Sequence, residues 1–133
     1  IIHGSVGSLS GSRMRRGFLA IGGNAGEATG FELLAGTIVI AGKPGPHTGL
    51  GMRRGSIVLS STITRRGRKI PCIPPTFTEG AIWRPPFMGL LEKQLLNFSF
   101  PAAQNTAWTG LWQQWHGDTL AGCRGEIMTL VKT

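Results

Sequence analysis

The sequence has few of the residues from which catalytic and metal sites are usually built. Tyrosine is absent, aspartate occurs once, as Asp118, and only six residues are acidic. No two acidic residues have a spacing that suggests a carboxylate pair for acid–base catalysis. The histidines His3, His47 and His116 lie far apart and no Cys-x-x-Cys pair occurs, so a metal site is not indicated. The sequence therefore predicts no catalytic, cofactor-binding or metal residues in this chain.

Cysteine and long apolar runs are also scarce. Two cysteines, Cys72 and Cys123, are too few for a disulfide framework in a chain of 133 residues. We therefore expect reduced thiols in a cytoplasmic protein. No apolar run approaches the roughly 18 residues that a membrane span needs, and no signal peptide is visible. The sequence also lacks the glycine-rich fingerprints of nucleotide-binding loops.

Positive charge, by contrast, is abundant. Fourteen Lys and Arg residues against six acidic ones give a formal net charge of +8. Such an imbalance favours an anionic partner, which could be an acidic protein, a polycarboxylate or phosphate ligand, or nucleic acid.

Glycine is abundant too, and it recurs with a fixed period. Met14–Gly17 and Met52–Gly55 share the sequence Met-Arg-Arg-Gly, and Leu33–Gly36 lies halfway between them, which gives a period of 19 residues. Repeats of this length are typical of solenoid architectures. The glycines follow the same period in four series: Gly4, Gly23 and Gly42; Gly7, Gly26 and Gly45; Gly11, Gly30 and Gly49; Gly17, Gly36 and Gly55.

Each repeat contains a short apolar segment between glycine-rich turns, which predicts a strand. These segments are Phe18–Ile21, Thr37–Ile40 and Ser56–Leu59. A period of 19 residues is too short for a strand and a full helix, so we expect an all-β, right-handed parallel β-helix. Three inward-facing ladders are predicted: Leu19, Ile38 and Ile57; Ile21, Ile40 and Leu59; Met14, Leu33 and Met52.

The repeat ends near Ser60, and the rest of the chain has a different pattern. We predict β-helix coils over residues 1–70 and, over residues 71–133, a proline-rich connection, a helical cap and a returning strand near 125–130. An apolar stripe predicts a helix over residues 86–98. A second stripe, Trp108, Leu111, Trp112 and Trp115, also has helical spacing. Because the first repeat starts midway, we expect the coils to be the C-terminal end of a longer repeat domain.

The repeat arginines are the candidate functional residues. Arg15 and Arg16 recur two repeats later as Arg53 and Arg54, and at about 4.8 Å per repeat they should project from one face about 10 Å apart. They could form a solvated rim or bind carboxylates or an acidic partner protein. Nucleic acid is less favoured, because no aromatic side chains alternate with these arginines.

Two further features leave alternatives open. His47 lies in a glycine-rich turn, where it is either an exposed turn residue or a group that binds a ligand or transfers a proton. Four tryptophans fall in the last 51 residues, where they either pack a core or form an interface with another protein. Arg65, Arg66 and Arg68 could extend the edge that carries the repeat arginines.

The repeat and the C-terminal segment together resemble a known family. The chain is similar to the C subunit of formylmethanofuran dehydrogenase and to the corresponding component of the bacterial formyltransferase/hydrolase complex. Both belong to the GXGXG repeat family, which is shared with the C-terminal domain of the large glutamate synthase polypeptide. The matching segments are Met14–Gly17, Gly36–Ile40, Gly49–Met52, Gly55–Val58, Pro75–Phe77, Gly117–Asp118 and Gly125–Ile127.

This resemblance implies a non-catalytic β-helix scaffold subunit in a one-carbon complex. In such complexes an amidohydrolase-like subunit holds the metal site and a formyltransferase subunit serves a tetrahydromethanopterin carrier, with a methanofuran-type carrier between them. The anionic, glutamate-rich tail of that carrier would be a possible ligand for the arginines. Whether the complex is a dehydrogenase or a hydrolase stays open. The alternative is a glutamate-synthase-type spacer domain that positions catalytic domains.

Overall fold

Six β-strands, one α-helix and a short 3₁₀ turn make up the described part of the chain. The structure is a computed structural model, and it describes residues 1–64, 70–100 and 108–131. In chain order the elements are β1 (Phe18–Ile21), β2 (Thr37–Ile40), β3 (Ser56–Thr64), β4 (Thr78–Trp83), α1 (Phe87–Asn97), β5 (Trp112–Gly117), the 3₁₀ turn Thr119–Ala121 and β6 (Gly125–Val131).

The strands form one mixed sheet in the order β1-β2-β3-β6-β5-β4. Strands β1, β2, β3 and β6 run parallel, whereas β5 is antiparallel to both β6 and β4. Phe18 pairs with Thr37 and Thr37 pairs with Ser56, so the first three strands are offset by 19 residues. The last parallel pair then joins Ser56 to Glu126, far along the chain.

The predicted all-β parallel β-helix is wrong. The structure is a mixed sheet with a helix on it, an α/β arrangement. The physical reason is that the repeat covers less than half of 133 residues. In the remainder, β6 adds one more parallel strand beside β3, but β5 and β4 then pair antiparallel. The division of the chain near residue 70 stays a prediction.

Two apolar cores lie on opposite faces of the sheet, because successive side chains of a strand alternate in direction. One face carries the three predicted ladders, and most of their residues are fully buried: Ile38 and Ile57; Ile21, Ile40 and Leu59; and Leu33 and Met52 of the connecting loops. The first residues of two ladders, Leu19 and Met14, are partly buried. The other face presents Ala20, Val39, Val58 and Met128.

Helix α1 covers this second face. Its buried residues are Met88, Leu91 and Leu95, one turn apart along a single stripe. The predicted helix over residues 86–98 is therefore confirmed, although it packs on the sheet and not on the end of stacked coils. Within the ranges that the structure describes, no helix has the length and apolar character needed to cross a membrane.

The prediction of a second helix is wrong, because this segment forms strand β5. Trp112 and Trp115 belong to β5, where they face opposite cores. Trp112 stacks on Trp108 with ring centroids 5.9 Å apart, and its Nε1 donates a hydrogen bond to the Trp108 carbonyl at 2.9 Å. The tryptophans have helical spacing, but hydrogen bonding of β5 to β4 on one side and to β6 on the other makes this segment a strand.

Glycine recurs in the loops because neighbouring repeats approach closely. At Gly30, with φ +76°, a Cβ atom would lie 2.8 Å from Ile57 Cδ1. At Gly55, with φ +99°, it would lie 2.6 Å from the carbonyl oxygen of Gly36. At Gly55 the left-handed backbone and the contact with a backbone oxygen together disfavour a larger residue, whereas at Gly30 the contact is with a side-chain methyl group that can move.

We predict that truncating Ile38 at the centre of the first core will strongly destabilise the protein. Ile38 is fully buried, and Ile38→Ala should lower the free energy of unfolding by about 2–5 kcal/mol, since removal of the buried methyl groups leaves a cavity. Urea denaturation of the variant measures this change. Leu90→Ala, at a side chain 67% exposed on α1, is the control, and an equal loss in both variants would contradict the assigned core.

Candidate functional site

The four repeat arginines lie on one edge of the stacked loops, immediately before β1 and β3. Between them, the backbone N–H groups of Leu34 and Ala35 donate to the Met14 carbonyl, and the N–H of Arg53 donates to the Leu33 carbonyl. The pairs Arg15–Arg16 and Arg53–Arg54 are therefore two strand spacings apart, about 10 Å. All four side chains are exposed.

The pair Arg53–Arg54 borders a pocket on this edge. Arg53 and Arg54 border an open pocket of about 480 Å³, together with Leu34, Ala121, Gly122 and Arg124. Of the four candidate arginines, Arg53 and Arg54 therefore line this pocket and Arg15 and Arg16 do not. Arg124, which the sequence analysis did not identify, lines it as well.

Strand register explains the position of Arg124. Ser56 pairs with Glu126. Arg54 and Arg124 each lie two residues before this pair, so they are neighbours across the two chain segments. The same short pattern precedes both strands: Arg54–Ile57 reads Arg-Gly-Ser-Ile and Arg124–Ile127 reads Arg-Gly-Glu-Ile. This repeated pattern is the feature of the sequence that could have identified Arg124. Its two copies lie 70 residues apart, which is not a multiple of the 19-residue period.

A second pocket of about 610 Å³ adjoins the first and shares Arg53, Ala121 and Gly122 with it. Its buried carboxylate, Asp118, accepts hydrogen bonds from the backbone N–H groups of Gly51 and Leu120, each at 2.9 Å. These contacts fix the 3₁₀ turn against the loop before β3. Asp118 therefore has a structural partner for each of its two oxygens.

The remaining acidic residues near the pockets are also engaged. Glu32 lies 3.4 Å from the Arg13 guanidinium in an exposed ion pair. Glu126 accepts hydrogen bonds from Ser56 Oγ and from Gln114 Nε2. Within residues 1–64, 70–100 and 108–131, no group of three His, Cys, Asp or Glu side chains could hold a metal ion.

His47 has an acidic neighbour at the surface. Its Nδ1 lies 3.1 Å from Glu27 Oε1, and both side chains are more than half exposed. No third polar group joins them among the contacts of the described chain. This geometry fits an exposed turn residue, and a role in ligand binding or proton transfer gains no support from it.

The aromatic residues mostly fill the cores. Trp108 and Trp112 are buried, and Trp115 donates from Nε1 to Thr129 Oγ1 at 3.1 Å. Trp83, 39% exposed at the end of the edge strand β4, is the tryptophan that contributes most to the surface. Core packing therefore accounts for three of the four.

The two cysteines are unpaired and lie in different environments. Cys72 is buried and Cys123 is partly exposed. Burial raises the pKa of the Cys72 thiol from 9.0 to about 11, against the smaller opposing effect of a hydrogen bond to its own backbone. The further arginines Arg65, Arg66 and Arg68 lie outside the described residues.

Comparison with solved structures gives a clear neighbour. A chain of the formyltransferase/hydrolase complex FhcABCD from Methylorubrum extorquens, crystallised with methylofuran, matches with a TM-score of 0.79 and 29% sequence identity. The match covers 96% of this chain and 44% of that one, so this sequence spans less than half of its neighbour's length. No family model matches the sequence. No curated protein matches it.

The predicted resemblance is confirmed in its coarser form: this chain is similar to a subunit of a formyltransferase/hydrolase complex. Membership of the GXGXG family stays a prediction, as do the cytoplasmic location and the role of the repeat arginines.

We predict that removing the Asp118 carboxylate will destabilise the protein. Asp118→Ala leaves the N–H groups of Gly51 and Leu120 without their acceptor in two partly buried hydrogen bonds, and the total cost should be about 1–3 kcal/mol. Urea denaturation should show a lower free energy of unfolding. Glu79→Ala, which removes an exposed carboxylate on β4, should change it little, and equal effects would contradict the bracing role of Asp118.

We also predict that the two thiols will react at different rates. At pH 8 the Cys72 thiol stays protonated, because its raised pKa of about 11 lies well above that pH, and only the thiolate reacts. Iodoacetamide should therefore label Cys123 first, and Cys72 labelling should accelerate as the pH rises towards 11. Peptide mass spectrometry distinguishes the sites, with Cys72→Ser as the control; preferential labelling of Cys72 at pH 8 would contradict its burial.

Proposed function

We propose that this chain is part of a non-catalytic scaffold subunit of a formyl-transferring complex in one-carbon metabolism. The observation that carries the proposal is the match to a chain of the formyltransferase/hydrolase complex, at 29% identity over 96% of this sequence. An identity of 29% over nearly the whole chain supports a relationship closer than a shared fold.

The contacts of the acidic side chains support the scaffold role. Asp118 and Glu126 both face structural donors, backbone N–H groups in one case and Ser56 with Gln114 in the other. A general base must be free to accept a proton from a substrate. The described carboxylates near the pockets hold loops and strands together instead.

The proposed partners are an amidohydrolase-like subunit and a formyltransferase subunit, which would supply the metal site and the transfer to a tetrahydromethanopterin carrier. The neighbouring complex was crystallised with methylofuran, and a carrier of that kind would connect the two activities. The exposed arginines Arg15, Arg16, Arg53 and Arg54 would then face either an acidic partner protein or the anionic tail of the carrier.

Purification of the full-length protein from its native host, under mild conditions, tests the assignment. An affinity tag on the protein should recover an amidohydrolase-like subunit and a formyltransferase in stoichiometric amounts, identified by mass spectrometry. Recovery of an amidotransferase or its fused domains would instead favour the spacer-domain alternative. Formyltransferase or hydrolase activity of the separated scaffold protein would contradict the scaffold role.

Charge reversal tests the arginines within the assembled complex. Arg53→Glu with Arg54→Glu should weaken retention of an acidic partner or carrier, because repulsion replaces attraction at an exposed surface. The loss should be larger in low salt than in high salt, since exposed charges are screened. The matched control is Arg84→Glu with Lys93→Glu, near α1, and equal losses in both double variants would contradict a specific role.

A further inference from the structure

We propose that Arg53, Arg54 and Arg124 form a binding pocket for an oxyanion, namely the carboxylate or phosphate groups of a small polyanionic ligand. The inference rests on the geometry of this pocket, and it holds whether or not the chain assembles into the proposed complex.

The first observation is the juxtaposition of two like charges. The register that pairs Ser56 with Glu126 places Arg54 and Arg124 side by side, each two residues before the paired position, at a backbone spacing of about 4.8 Å. Two positive charges at this spacing repel each other. An anion bound between the two side chains would offset this repulsion.

The second observation is that neighbouring carboxylates do not neutralise these arginines. Within the described part of the chain, no carboxylate lies within ion-pair distance of Arg53, Arg54 or Arg124; the ion pairs found are Arg13–Glu32 and His47–Glu27. Asp118 and Glu126 are close in sequence to Arg124 but accept other hydrogen bonds. The pocket therefore carries three uncompensated positive charges.

The third observation is the shape of the pocket floor. Ala121 and Gly122, at the end of the 3₁₀ turn, line the pocket together with the three arginines and add little side-chain bulk to it. Nothing lies within 4 Å of the position that a Cβ atom would take on Gly122. An open pocket of about 480 Å³ is large enough for a small ligand.

Arginine chemistry defines the ligand class. A guanidinium group presents a planar fork of N–H donors that matches two oxygens of a carboxylate or phosphate. Three such groups around one opening favour a ligand with more than one negative charge. Arg15 and Arg16 lie outside the pocket, two strand spacings away from Arg53 and Arg54, so they are not required for this binding.

Calorimetric titration of the full-length protein tests the proposal, with inorganic pyrophosphate and a tetraglutamate peptide as separate probes. We expect at least one probe to bind, and Arg54→Gln with Arg124→Gln to weaken that binding at least tenfold. Selective binding of pyrophosphate would assign phosphate ligands, and selective binding of tetraglutamate would assign carboxylates. Failure of both probes to bind would overturn the proposal.

Two further variants separate the pocket from general positive charge. Arg84→Gln with Lys93→Gln removes the same charge elsewhere and should leave affinity unchanged. Ala121→Glu would place a carboxylate in the pocket and should abolish binding while the circular dichroism spectrum stays native. An equal loss of affinity on changing Arg15 and Arg16 to glutamine would overturn the assignment to this pocket.

Discussion

The contact on which the structure depends is the backbone ladder between equivalent positions of successive repeats. The N–H of Thr37 donates to the Gly17 carbonyl, that of Ser56 to Gly36, and that of Glu126 to Gly55, each at 3.0–3.1 Å. All three acceptors are glycines that follow the arginine positions of the repeat. Because the same bond joins β6 to β3, the ladder continues past the end of the sequence repeat and fixes where the last strand must lie.

This ladder determines which side chains become neighbours. Residues two positions before each strand form one column, in which Arg16, Ala35, Arg54 and Arg124 follow one another across the sheet. Ala35 separates the first arginine from the second, whereas nothing separates the second from the third. The charge on this edge is therefore concentrated beside β3 and β6, where the 3₁₀ turn held by Asp118 adds a floor.

The sequence predicted those parts of the structure that depend on contacts at a fixed interval. Strands β1, β2 and the start of β3, with the buried column of Ile38 and Ile57, follow from a 19-residue period because each repeat meets its neighbour. The fold class could not be predicted in this way. The direction of β5 depends on partners β4 and β6, and the spacing of Trp112 and Trp115 fits a helix or a strand with both faces buried. Arg124 was missed for the same reason, since it joins Arg54 through pairing between distant segments.

The contrast between the glycines and the arginines of the repeat shows where function is to be sought. Gly55 is required by its backbone angle and by the carbonyl 2.6 Å from its absent Cβ atom, so the fold alone accounts for it. Leu34 and Ala35 occupy the arginine positions of the middle repeat with the same backbone bonds, so the ladder does not need charge there. The two adjacent arginines at the last two positions of that column repel each other, and the backbone ladder gives no reason for their charge. The arginines are therefore the part of the repeat that the fold leaves unexplained, and they are the residues to which we assign the proposed anion binding.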